Sequence, residues 1–132
     1  MNNIVNELKK VKVFFLATAT DNKPHVRPFS TICEFEGNAY ICCGKQKLVF
    51  KELENNPYVE LSGMYDGGSW IRVNAKVELD ERTEAQIKVL SDPTGPTQLY
   101  SVNDGRFVVY KLTEVKAFKY NFYAKPEEIL EH

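Results

Sequence analysis

The order of apolar and polar positions divides the chain into short elements. Ile4, Val5, Leu8 and Val11 recur at helical spacing and predict an amphipathic helix over Asn3 to Lys10. Val13 to Thr20 is a nearly unbroken apolar run, the pattern of a buried strand. Asp21-Asn22-Lys23-Pro24 has the composition of a turn. His25 to Phe35 predicts one long strand, in which Pro28 requires an edge position or a bulge because it has no ladder donor. Glu36-Gly37-Asn38 turns the chain into a further strand at Ala39 to Cys43. After Gly44-Lys45-Gln46-Lys47 the period changes: Val49, Phe50 and Leu53 lie at helical spacing, and Pro57 closes that segment. Tyr58 to Tyr65 is the next strand, and Asp66-Gly67-Gly68 is a hairpin turn. Beyond it Ile71, Val73, Ala75, Val77 and Leu79 share one face of a strand, with Trp70, Arg72, Asn74, Lys76 and Glu78 on the other. Asp80 suits the N-cap of a helix running through Leu90. Ser91 to Gln98, with Asp92-Pro93 and Gly95-Pro96, reads as a loop. Phe107–Leu112 and Val115–Tyr123 predict two strands around Thr113-Glu114.

These elements give an α+β, β-rich class: six to seven short antiparallel strands with tight turns and short helices, a pattern that favours closure into a barrel. A barrel this small has little internal room, so a sizeable cofactor is expected outside it, where two subunits meet. The 132 residues suit a single domain, read here as residues 1–129. Leu130-Glu131-His132 reads as the start of a vector-encoded tag. Charged residues make up 27% and the net charge is −1, which leaves no electrostatic case for nucleic acid or an anionic membrane as partner. No apolar run is long enough to span a membrane, no leader opens the chain, and the expected location is the cytoplasm. Cys33, Cys42 and Cys43 are odd in number and lack C-x-x-C spacing, so neither a disulfide framework nor a metal site is expected.

Three places carry candidate chemistry. A strand that feeds a helix through Gly44, Lys45 and Lys47 can hold an anion on free backbone N–H groups, the helix dipole and two ammonium charges. Taken alone, the same turn reads more readily as a solvated corner. In Arg27-Pro28-Phe29-Ser30 the proline irregularity can aim the guanidinium out of the ladder, with a hydroxyl nearby. Trp70, Arg72 and Asn74 share one strand face, which suits a planar heteroaromatic ligand or a solvated surface. His25 has no carboxylate partner evident in the sequence and reads as a surface residue, with a proton-transfer role as the alternative. No H-E-x-x-H, P-loop or G-x-G-x-x-G is present, and no catalytic residue can be assigned.

The order of these places resembles one family. Pro24-x-x-Arg27-Pro28-Phe29, then the strand–turn–helix with Lys47 and Asn56-Pro57, then Gly68-Ser69-Trp70-Ile71-Arg72-Val73, is similar to small relatives of pyridoxamine 5′-phosphate oxidase, the FMN-binding split barrels. The resemblance runs from Val13 to about Phe122. It implies a homodimeric split β-barrel with FMN at the subunit interface. It implies that Arg27, Ser30, Lys45 and Lys47 hold the FMN phosphate. Phe29 and Cys43 then line the edge of the ring, with Trp70 and Arg72 near it, and Pro28 counts among the cofactor-binding residues. It further implies an oxidoreductase passing hydride or electrons between FMN and a small cytoplasmic substrate or electron donor. A non-enzymatic flavin-binding or ligand-sensing module is the alternative. Related small split barrels include nitroimidazole-reductase-like proteins, one-electron carriers, and proteins that use heme or a deazaflavin. The chain departs from true pyridoxamine-phosphate oxidases: the C-terminal Trp with its Arg-containing segment is missing, and Ala75 stands where a Gly is usual. Oxidation of pyridoxamine phosphate is therefore not expected.

Overall fold

A computed structural model describes residues 1–132. The chain runs α1 (Asn3–Val11), β1 (Phe14–Thr20), β2 (Lys23–Phe29), β3 (Cys33–Phe35), β4 (Asn38–Gly44), α2 (Leu48–Asn55), β5 (Tyr58–Met64), β6 (Trp70–Asp80), α3 (Thr83–Ser91), β7 (Phe107–Tyr120) and β8 (Glu127–Ile129). The strands form one antiparallel sheet in the order β2-β1-β5-β6-β7-β4-β3, with β8 added on β7. The strand-rich antiparallel α+β class read from the pattern is the one observed, as is the split barrel that the resemblance implies, with an eighth, three-residue strand from the tail.

The concave side of the sheet holds the main core. Phe14 and Leu16 of β1, Leu61 of β5, Ile71 and Val73 of β6, Leu112 of β7 and Ile41 of β4 have no exposed surface. Helix α1 closes one end with Ile4 and Leu8, both fully buried. Its start is fixed by Asn2, whose Oδ1 accepts from the N–H groups of Ile4 (3.0 Å) and Val5 (3.2 Å). Burying a leucine-sized side chain contributes roughly 1.5–3 kcal/mol, so these few residues account for most of what holds α1 down. A second cluster lies on the other face of β4, where Tyr40 and Cys42 pack on Ala85 and Val89 of α3. β4 is thus covered on both faces, which is why its sequence is apolar from Ala39 to Cys43.

Three sequence readings change. The single strand expected from His25 to Phe35 is two strands on opposite edges of the sheet. Between them Thr31 Oγ1 donates to the Thr94 carbonyl (2.7 Å) and the Ile32 N–H to Thr94 Oγ1 (3.3 Å), so a distant loop takes the hydrogen bonds a continuing strand would have used. Pro28 does lie on an edge strand, since β2 pairs only with β1. Asp80 does not cap α3; Arg82 stands at that position, and Asp80 ends β6, accepting from the Arg82 side chain and from Tyr40 Oη (2.7 Å). The two strands expected around Thr113-Glu114 are one, β7: Glu114 takes a positive φ of 53° and the register with β6 slips between Asn74 and Lys76, a bulge rather than a reversal. The chain's end is also tied down, with the Asn3 N–H donating to the Glu131 carbonyl at 2.7 Å.

Candidate functional site

A cavity of about 620 Å³ opens along β2, between that edge strand, the end of β4, the start of α2 and the loop that follows α3. It gathers Arg27, Pro28, Phe29, Ser30, Cys43 and Lys47 of the residues nominated from the sequence. Lys45, Trp70 and Arg72 do not line it. His25, Glu52, Leu99 and Tyr100 do, and the sequence reading had nominated none of them.

Strand periodicity brings His25, Arg27 and Phe29 to the same side of β2. From the facing helix, Glu52 meets the first two. Arg27 Nη2 donates to Glu52 Oε1, and Arg27 Nη1 donates to Thr18 Oγ1 (3.0 Å) and to the Leu16 carbonyl (3.2 Å). Thr18 Oγ1 in turn donates to Glu52 Oε1 (3.1 Å), and His25 Nε2 stands 3.8 Å from Glu52 Oε2. The Glu52 side chain is only 5% exposed, against 22% for Arg27 and 43% for His25. His25, read as a partnerless surface residue, therefore has a carboxylate facing it, and Arg27 is held in the wall by a buried acid. Of the five N–H groups of a guanidinium, Nε–H and one on Nη2 are left for anything that enters.

The Gly44 turn has the form expected of it. Lys47 is the residue before α2, in extended conformation, and makes no capping bond with its side chain; the Phe50 N–H donates to the Lys47 carbonyl (3.1 Å), so the ammonium and the Leu48 and Val49 N–H groups stay available. Gly44 fits because a Cβ there would overlap the Tyr100 hydroxyl, which accepts from Gln46 Nε2 at 2.9 Å. That contact brings the loop after α3 over the turn. The loop is itself braced: Arg106 lies over the Tyr100 ring at 5.4 Å and donates to the Leu99 carbonyl. Cys43 is buried beside Tyr110, and burial pushes its thiol up to about 11, with the Arg27 charge acting the other way. Cys42 goes up to about 12 for the same reason. Neither is a thiolate near neutral pH, so the cysteines are wall and not nucleophiles.

Trp70 and Arg72 lie on the outward face of β6. Trp70 stacks on Tyr120 (centroids 5.7 Å apart), and Arg72 pairs with Glu60 (Nε–Oε2 3.1 Å) and lies over the Tyr120 ring. Lys45 is exposed in the turn beside the cavity. The site in one chain is thus an apolar wall (Phe29, Leu48, Val49, Leu99) with a cationic end made by Arg27 and Lys47 and hydroxyls from Ser30 and Thr31. That donor set fits a flat ligand carrying an anionic group.

The sequence matches the family described as pyridoxamine 5′-phosphate oxidase over residues 2–117. Among solved structures, the chain is similar to a NimC/NimA family protein from Clostridium acetobutylicum, with 36% identity, a TM-score of 0.90, and coverage of 96% of this chain and 88% of that one. A heme-binding protein from Mycobacterium smegmatis has the same fold at 15% identity and TM-score 0.72, covering 95% of this chain and 57% of that one. So does a protein from Clostridium acetobutylicum related to general stress protein 26, of the pyridoxinephosphate oxidase family, at 10% identity and TM-score 0.72, covering 96% and 94%. No curated protein sequence matches the chain.

Proposed function

The chain belongs to the pyridoxamine 5′-phosphate oxidase family, and on that premise we propose that it is a homodimeric FMN-binding flavoprotein, an oxidoreductase passing hydride or electrons between FMN and a small cytoplasmic substrate. The observation that carries the proposal is the single cavity that collects Arg27, Phe29, Ser30, Cys43 and Lys47 from three separate elements. Lys47 with the start of α2, Ser30 and the spare donors of Arg27 would hold the phosphate; Phe29, Pro28 and Cys43 would line the ring. When bound, FMN supplies hydride and one-electron chemistry. The protein's part is to anchor the phosphate, set the orientation and exclude water through Leu99 and Tyr100. Trp70 and Arg72, on the outward face, would reach a bound ring only from a second copy. That face also presents Phe15, Met64 and Phe122, all at least 47% exposed, which supports a dimer that covers them.

Pyridoxamine phosphate is a poor candidate substrate. After Phe118 the chain has no Arg, and the Lys119 ammonium is drawn over the Tyr65 ring at 4.7 Å. The test is the visible spectrum of the purified protein, followed by titration with FMN and riboflavin. A flavin spectrum is expected. Lys47→Ala should weaken FMN about tenfold, the worth of one charge-assisted contact, and leave riboflavin nearly unchanged. A Soret band in place of flavin absorption, or equal loss for both flavins, would overturn the assignment.

A further inference from the structure

Glu52 is a costly residue to place in an anion-binding cavity, and its second oxygen explains what it does there. Oε1 is saturated by Arg27 and Thr18, whereas Oε2 accepts no hydrogen bond from the protein and faces His25 Nε2 across 3.8 Å. Arg27 and Lys47 bring two positive charges to the cavity and Glu52 cancels one. A phosphate monoester dianion entering it leaves one negative charge uncompensated, and a buried unpaired charge is strongly disfavoured. His25 lines the same cavity, on the same side of β2 as Arg27, and imidazole is the side chain whose charge is free to change near neutral pH. Besides Arg27 and Glu52, the charged and titratable groups lining that cavity are Lys47 before α2, the Cys42 and Cys43 thiols on β4, both pushed up by burial, and the Tyr100 hydroxyl from the loop.

We infer that His25 is a proton-dependent ligand of the anion this cavity takes, so that binding a dianionic phosphate is coupled to uptake of one proton on His25. The inference rests on FMN being the ligand. The proton comes from solvent; no covalent bond forms or breaks. Once charged, His25 pairs through Nε2–H with the idle Glu52 Oε2 and keeps Nδ1–H for the ligand. Glu52 thereby acts as a positioning residue: it holds Arg27 permanently and His25 only when the phosphate is present.

The experiment is calorimetric titration of the full-length protein, slightly above neutral pH, with FMN and with riboflavin in two buffers of different ionisation enthalpy. For FMN the observed enthalpy should vary with the buffer, with a slope approaching one proton, and for riboflavin it should not vary. His25→Gln should abolish the slope and weaken FMN about tenfold, as loss of one charge-assisted contact does, while riboflavin binding, unchanged, reports an intact fold. Glu52→Gln removes the excess negative charge and should also flatten the slope, but with FMN affinity kept or raised. FMN binding with no buffer dependence, or with a slope that persists in His25→Gln because the phosphate itself takes the proton, would overturn the inference and leave the flavin assignment standing. Absence of binding by either flavin would overturn both.

Discussion

Replacing Arg27 by Met removes the guanidinium but keeps an unbranched apolar stem in the wall. It strands Glu52, whose side chain is 5% exposed and which then keeps only the Thr18 hydroxyl as a donor. Breaking a buried ion pair from one side costs about 3–5 kcal/mol, mainly through the charge left behind. Because Arg27 is itself 22% exposed and Thr18 still donates, the lower end applies, about 3 kcal/mol. Against a total stability of roughly 5–15 kcal/mol that is a large fraction, and it corresponds to a fall in Tm of about 10 °C for a domain of this size. The assay is urea unfolding at fixed protein concentration, followed by far-UV circular dichroism. If the stranded charge is the cause, R27M/E52Q should recover about half the loss, and salt should change little because a buried pair is weakly screened. An R27M protein within about 1 kcal/mol of the parent, or a double variant no better than R27M, would show that Glu52 is not held by this pair.

Asp104 accepts from the N–H groups of Ser101, Arg106 and Phe107, and these bonds hold its carboxyl down at about 2, below the ordinary 3.8. Its contribution is therefore full above pH 3.8 and is lost as pH falls toward 2, so D104N should be less stable than the parent at neutral pH, with the gap closing across that window in acid unfolding. Cys33, Cys42 and Cys43 are buried with thiols pushed upward, and a thiol-specific disulfide reagent should label none of them in the native protein and all of them in urea; rapid native labelling would contradict the packing. Light scattering at micromolar concentration should report a dimer, which Met64→Glu, placed on the exposed face opposite Trp70, should shift to monomer. A parent monomer that still binds flavin tightly would refute the two-copy arrangement.

The parts of the fold that were legible are those whose pattern is local. The alternation on β6, the helical spacing of α2 and the doubly buried run of β4 each follow from residues within one element. The misread parts depend on distant partners. Ser30-Thr31-Ile32 has no Gly or Pro to signal a break; its extended run ends because Thr94, in a loop far along the chain, captures its donors. Similarly, Arg27, Ser30 and Lys47 stood out by residue type, while Glu52 read as the polar side of a helix. Only the long-range pairing with β2 turns it inward, although its place between Val49 and Leu53 on the buried stripe was a signal. His25 could have been linked to Arg27 by its spacing of two on a strand. The alternation that identified β6 also separated Trp70 and Arg72 from the interior, since even positions there face outward.

The cavity leaves β2 paired on one side only, and a bare strand margin is a template on which other extended chains can grow. Pro24 and Pro28 lie opposite Ala19 and Phe15 without disrupting the pairing with β1. The donors that proline removes are therefore those that would point away from β1. Val26, of the same parity, is left as the one outward donor between them. A second strand approaching this margin finds no continuous row of N–H groups to dock against. The margin can stay open to a small molecule and still resist fibril growth and strand exchange between copies. Restoring donors there, by replacing both prolines, would make the same opening a seed for aggregation.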